Sequence, residues 1–135
     1  MRVYLDIETN LAHDTIWMCA TKKGDEVLVW RDADNLQEYL NGLVVVAHNG
    51  IGFDALMILK IYGIDLYDKK FFDTWIASQV LNYRRPHKHG LAGWGAHLKY
   101  PKLDYDDWSG FSDEMMVYCS RDVQLNYVIF KKLME

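Results

Sequence analysis

Four carboxylates in this chain stand where an unaided carboxylate is hard to explain. Asp6 and Glu8 are two residues apart in a stretch that alternates, with Val3, Leu5 and Ile7 on one side and Tyr4, Asp6 and Glu8 on the other. In a strand that spacing points both acids the same way. Asp122 falls inside a helical stripe formed by Met115, Tyr118, Asp122, Leu125, Ile129 and Leu133. An acid in the middle of an apolar face that packs on a sheet costs several kcal/mol unless a cation, hydrogen bonds or a proton compensates it. Bases close by in sequence are scarce, and Arg121 points roughly 100° away by helix geometry. Asp54 follows His48-Asn49-Gly50-Ile51-Gly52-Phe53, just past an apolar strand, and ligands gather at the strand ends of such sheets. Singly, each acid has a structural explanation: an exposed edge pair, a residue reaching solvent at the rim of the core, an acid at a helix start.

Together the four imply a cation site. All are hard oxygen donors, and a mixed sheet can bring their three elements to one place. Such a set selects Mg²⁺ or Mn²⁺ over zinc. Two such ions roughly 3.5–4 Å apart activate a water and hold the leaving oxygen of a phosphodiester. His13, His48, His87, His89 and His97 show no zinc-type spacing. Cys19 and Cys119 form neither a close ligand pair nor a disulfide framework, which suits a reducing cytosol.

The elements that must position these groups follow from periodicity and breakers. Strands are expected at Arg2–Glu8, Thr15–Thr21 and Glu26–Trp30, the last two joined by a turn at Lys22-Lys23-Gly24-Asp25. A helix capped by Asp34 runs to Asn41, and Leu43–Ala47 reads as a strand covered on both faces. Phe53–Tyr62 is expected to be helical and to stop at Gly63. Lys70–Phe72 is a short strand, Thr74–Leu81 a helix with Asp73 near its cap, and Gly90–Lys99 a helix despite its glycines. Ser112–Met134 is a long final helix, acidic in its first turn and basic in its last. A meander followed by crossovers makes an α/β architecture: a mixed five-stranded sheet with helices packed on it.

A chain of 135 residues, half of them hydrophobic and a quarter charged, fits one domain, 1–135. The net charge of −4 argues against a generally basic nucleic-acid binder. Its distribution is polarised. Arg84, Arg85 and Lys88, with His87 and His89, occupy a stretch without acids; Asp104, Asp106, Asp107, Asp113 and Glu114 occupy one without bases. The longest aliphatic run, Leu43 to Ala47, is too short to span a bilayer, and Asp6 and Glu8 stand where an export signal would be apolar. No membrane partner is expected, and a cytoplasmic location (bacterial or phage-infected host cytosol) is.

In order along the chain, Asp6-Ile7-Glu8, Asn49 to Asp54 with the pattern N-x-x-x-F-D, and Tyr118 to Asp122 with Y-x-x-x-D resemble the three motifs of the DEDD 3′–5′ exonucleases, in their tyrosine version. Val117 stands where the histidine version would place its histidine. The segments Asp73-Thr74 and His89 to Gly95 are similar to the proofreading domain of family A phage DNA polymerases. The resemblance implies a ribonuclease H-like fold with helices on both faces of the sheet. It also implies metal-dependent release of 5′-mononucleotides from the 3′ end of single-stranded DNA. The alternatives are an exoribonuclease of the ribonuclease D type and, in a different class, a non-catalytic binding module. Asp6, Glu8 and Asp122 would hold the ion that activates water, Asp6 and Asp54 the second ion, and the Tyr118 hydroxyl would orient the water. Substrate contacts are expected from Thr9, Asn10 and Leu11, from His48 and Asn49, and from Arg84, Arg85, Lys88 and His89. Leu11 is either a wedge against the last base or core, and His48 and Asn49 either meet the strand or tie the turn. The chain stops 13 residues after Asp122, so the expectation is a free-standing exonuclease, a proofreading subunit of a separately encoded DNA polymerase, or an excised domain.

Overall fold

The computed structural model describes all of residues 1–135. Five strands form one mixed sheet: β1 (Arg2–Thr9), β2 (Ile16–Lys23), β3 (Glu26–Trp30), β4 (Val44–Ala47) and β5 (Phe71–Asp73), in the order β3-β2-β1-β4-β5. The first three form an antiparallel meander, while β4 lies parallel to β1 and β5 parallel to β4. The meander needs only tight turns, and the parallel pairs need crossovers that carry helices. β1 is central, but β4 pairs only with Arg2–Tyr4, so the tip of β1 has β2 on one side and its Ile7 N–H free to meet Asp54 on the other.

The helices are α1 (Ala33–Leu40), α2 (Asp54–Met57), α3 (Thr74–Leu81), α4 (Leu91–His97) and α5 (Asp113–Leu133). The alternation of β1 sorts the core. Val3, Leu5 and Ile7 pack with Leu36 and Leu40 of α1, and with Ala55 and Ile58, on one face. Tyr4 joins Met18, Ala20 and Val46 against Met115, Cys119, Val123 and Phe130 of α5 on the other. Asp6 and Glu8 therefore point toward α5. Trp94 of α4 is buried against Leu125 and Ile129, as a core residue should be. No helix is long and apolar enough to cross a membrane.

Several local details depart from the sequence reading. The hairpin between β2 and β3 turns on two residues, Gly24 and Asp25, with Lys22 and Lys23 still paired in the strand. Gly24 has φ +60°, a backbone state that costs glycine least and suits a two-residue hairpin. Helix α1 is capped by Asp32, whose carboxylate accepts from the Asn35 N–H at 2.9 Å, and Asp34 falls in the first turn. The helix expected over 53–62 is α-helical only to Met57 and continues as a π-helical segment, Ile58–Tyr62, before Gly63. Trp17 and Trp30 are half-buried, with their ring N–H groups donating to the Trp108 carbonyl and to Thr21.

Candidate active site

The ends of β1 and α2 and the middle of α5 converge. Ligand atoms of Asp6, Glu8 and Cys119 lie within 4.8 Å of one another. The Cys119 thiol is 3.4 Å from Asp6 Oδ2 and 3.5 Å from the Asp6 carbonyl oxygen, and can donate to either. Asp54 enters from the other face of β1. It is 3% exposed, and its Oδ2 accepts the Ile7 N–H at 3.1 Å. A register shift in the pairing of β1 with β2 falls between Glu8 and Thr9, the kind of irregularity that re-aims side chains beside sites.

Asp122, one turn beyond Cys119, is also 3% exposed. Its partner is Lys102, whose Nζ is 3.2 Å from Oδ2. Its Oδ1 is buried without any partner. The sequence reading found no cation for this acid, and Arg121 explains how one arrives. Arg121 does point away from Asp122; its Nε donates to the Pro101 carbonyl at 3.1 Å and its guanidinium lies 3.6 Å from the Tyr100 ring centre. Tyr100 also donates its N–H to the Gly95 carbonyl at 2.8 Å. A Cβ on Gly95 would come within 2.8 Å of the Tyr100 carbonyl, so the close approach needs glycine there. The anchored Tyr100-Pro101 pair delivers Lys102 to Asp122. Nothing in the sequence signals this between residues 20 positions apart, with irregular chain from Leu103 to Ser112 between them.

The electrostatics follow from crowded acids, of which Asp6, Glu8 and Asp122 feel the Lys102 ammonium while Asp54, across β1, does not. Burial raises the pKa of Asp6, and the Asp122 charge raises it further. Glu8 is raised by burial and then by Asp6 and Asp122. Asp54 is pushed well up by burial and by Asp6, against the Ile7 hydrogen bond. Asp122 is raised by burial despite Lys102. Burial alone would depress Lys102, but Asp122 and Tyr118 outweigh it and hold the ammonium charged. Burial and the neighbouring acids keep the Cys119 thiol protonated.

The donor set suits a hard divalent cation: carboxylate oxygens on several elements, an excess of negative charge, and an orphaned buried oxygen on Asp122. Asp6, Glu8 and Asp122 would hold one ion, with Asp54 across β1 serving a second. Such ions supply an activated water and charge neutralisation at a phosphodiester.

Tyr118 packs beside this cluster. Its ring lies 5.5 Å from Tyr105 and 5.7 Å from Trp108, and Lys102 Nζ is 5.1 Å from its centre, within reach of the hydroxyl. Trp108, which the motifs do not mark, also lines a cleft of about 210 Å³ with Glu8, Thr9, Asn10, Leu11 and Phe53. Leu11 is 79% exposed, so its reading as core does not stand. Larger hollows, of about 520 Å³ between Val29, Tyr100 and Gln124 and about 550 Å³ between Leu103, Asp113 and Tyr118, hold none of the four acids; the donor set rather than size selects the site.

The other expected substrate contacts divide. Asn10 is committed to Asp14 and Thr15 through its side-chain amide. His48 has both ring nitrogens engaged within the protein. Nε2–H donates to the His89 carbonyl at 2.7 Å, and Nδ1 accepts from Thr74 Oγ1 at 2.8 Å, which itself accepts from Asn126 at 2.7 Å. Burial holds this imidazole neutral, with a pKa of about 4. His48 thus ties its turn. Asn49 is held at φ +58° by its N–H donating to Asp73 at 2.9 Å. His89 is bound to Ser78 and to the Tyr83 carbonyl, and Arg85 to the Ser78 carbonyl. Arg84 and Lys88 remain exposed and in no ion pair.

No family model and no curated protein matches the sequence. Solved structures do match. The chain is similar to Brucella melitensis NrnC. That alignment has a TM-score of 0.79 at 23% identity and covers 98% of this chain and 72% of that one. The same protein bound to pGG aligns with a TM-score of 0.77 at 22% identity, over 98% and 71% of the two chains. The EXD2 exonuclease domain aligns with a TM-score of 0.45 at 18% identity, over 95% and 74%. The likeness to NrnC establishes the architecture. The sheet order, the placement of helices on both faces and this match together make the fold ribonuclease H-like, as the three motifs implied.

Proposed function

We propose that this chain is a divalent-metal-dependent 3′–5′ exonuclease that removes 5′-mononucleotides from single-stranded nucleic acid by a two-metal-ion mechanism. One observation carries the reading. The ligand atoms of Asp6 and Glu8 lie within 4.8 Å of one another at the end of β1, Asp122, 116 positions after Asp6, raises the pKa of both and keeps an unpartnered oxygen, and Asp54 meets β1 at the Ile7 N–H with its own pKa raised. Such an arrangement is unfavourable until cations arrive. Tyr118, whose ring lies beside Lys102, would orient the attacking water. With an unperturbed phenol pKa near 10, raised further here by burial, it positions rather than abstracts. The cleft beside Glu8, lined by Thr9, Leu11, Phe53 and Trp108, receives the terminal nucleotide.

Single-stranded DNA is the substrate favoured by the segments similar to phage proofreading domains; a separately encoded polymerase partner and a cytosolic setting belong to the same reading. A second reading, trimming of short RNA, is favoured by the complex of the similarly folded NrnC with pGG. One experiment tests both: 5′-end-labelled DNA and RNA strands incubated with Mg²⁺ or Mn²⁺, with products sized over time. A ladder shortening from the 3′ end is expected. Cleavage that persists in excess chelator, or a first cut in the strand interior, would overturn the assignment.

A further inference from the structure

Lys102 stands apart from the motif residues, yet it is the one cation inside the acidic cluster. Its ammonium contacts Asp122 at 3.2 Å and sits beside the Tyr118 hydroxyl, while its side chain is still 25% exposed. It therefore bridges the buried acids and the solvent from which a strand would approach. The chain on its N-terminal side is firmly held. Arg121 binds the Pro101 carbonyl and stacks on Tyr100, whose hydroxyl donates to Gln124 at 3.3 Å. On its C-terminal side Leu103 and Asp104 are exposed and irregular. The anchor fixes the backbone, and the flexible four-carbon stem leaves the ammonium free to change partners.

We propose that Lys102 is a tethered counter-ion of the acidic centre. It holds Asp122 in the metal-free protein, yields that carboxylate to a divalent ion, and then binds the phosphate undergoing hydrolysis. This inference rests on the exonuclease reading. The same Oδ2 cannot be fully shared between an ammonium and a metal, since both need its lone pairs and its charge. Once displaced, the ammonium remains beside Tyr118, where the attacked phosphate must lie if Tyr118 orients the water. No other lysine or arginine forms an ion pair with the four acids.

The test compares wild type with Lys102→Met, which keeps the stem and removes the charge, and Lys102→Arg, which keeps the charge. Thermal melts across a Mn²⁺ titration read metal affinity without turnover. In Lys102→Met the Mn²⁺ midpoint should fall by roughly tenfold, because the ion no longer displaces an ammonium. At saturating Mn²⁺ the same variant should lose on the order of 10- to 100-fold in kcat/KM on a single strand, as for one charged phosphate contact. Lys102→Arg should recover most of that loss. A residue of merely structural importance would weaken the Mn²⁺ response when replaced, so the opposite sign is diagnostic. An unchanged or raised midpoint in Lys102→Met overturns the proposal, as does undiminished turnover at saturating metal. Wild-type protein that shortens no strand instead overturns the exonuclease reading, and the phosphate contact with it.

Discussion

Asp73 and Asp122 are both buried carboxylates within the same small fold, and they are treated in opposite ways. Asp73 accepts four backbone N–H groups: Asn49, Trp75 and Ile76 on Oδ1 at 2.9, 2.9 and 3.3 Å, and Ile51 on Oδ2 at 3.0 Å. It caps α3 and pins the loop that leads to Asp54. Asp122 has a single ammonium on one oxygen and nothing on the other. It faces further acids whose charges oppose its neighbours' ionisation. Burial alone therefore does not mark function. A buried acid surrounded by N–H donors is complete and serves the chain, whereas one surrounded by acids is incomplete and calls for a ligand.

The contrast can be broken most severely at Asp122. Asp122→Ala should remove nearly all exonuclease turnover, a loss on the order of 10⁴-fold or more if the ion that activates water is lost; single-turnover rates with labelled strands measure it. A variant retaining substantial turnover would place Asp122 with Asp73 among structural acids.

Asp73→Ala should act on stability. It removes an N-cap and strands several part-buried donors, at a cost of about 2–4 kcal/mol. Urea unfolding in chelator should show this drop, whereas Asp122→Asn should unfold at an equal or higher urea concentration than wild type.

Mn²⁺ should separate the two acids in the melting temperature. An ion at about 100 times its dissociation constant adds roughly 2.7 kcal/mol, a rise on the order of 10 °C for a domain of this size. Asp122→Asn should lose that rise. The pH dependence in chelator has a matching sign. Raised folded-state pKa values at Asp6, Glu8, Asp54 and Asp122 mean stability that is full below the ordinary carboxylate range and lost as pH rises through the raised values. His48 works the other way, its contribution full above 6.5 and lost as pH falls toward about 4. The difference between wild type and Asp122→Asn cancels His48. It should favour the variant at pH 8 and shrink toward pH 5; a constant difference would count against mutual repulsion.

The smallest effect is expected at Tyr118. Tyr118→Phe keeps the ring packed against Tyr105 and Trp108 and deletes one hydroxyl. Turnover should fall roughly 10- to 100-fold, below the loss typical of a general base, with the Mn²⁺ midpoint almost unchanged. Loss equal to that of Asp122→Ala would give the tyrosine a larger part than orienting water.

What was legible in the sequence was what periodicity writes. The alternation in β1 placed Asp6 and Glu8 on one face, and the stripe in α5 placed Asp122 on the buried side, because strand and helix geometry translate spacing directly into direction. The cap of α3 by Asp73 was equally local. What escaped was set by packing across the chain. Lys102 reaches Asp122 only because Arg121 and Gly95 pin the segment before it. Trp108 meets Tyr118 from irregular chain that carries no period. The ring nitrogens of His48 are consumed by Thr74 and by a carbonyl 41 positions away, so a polar residue beside a motif proved to be a tie within the fold. The π-helical segment after α2 has no compositional mark either.

The hydrogen bond from Cys119 to Asp6 spans 113 positions, and that separation sets an order of assembly. The meander of β1, β2 and β3 closes through short turns, but the acidic centre does not exist until α5 docks on the far face of β1. Contacts so distant in sequence form late, since a long loop must close before they reward it. The docking that completes the apolar core is the same step that presses Asp122 toward Asp6 and Glu8. If α5 docks last, that step runs against electrostatic repulsion, and refolding should be faster in Mn²⁺ than in chelator.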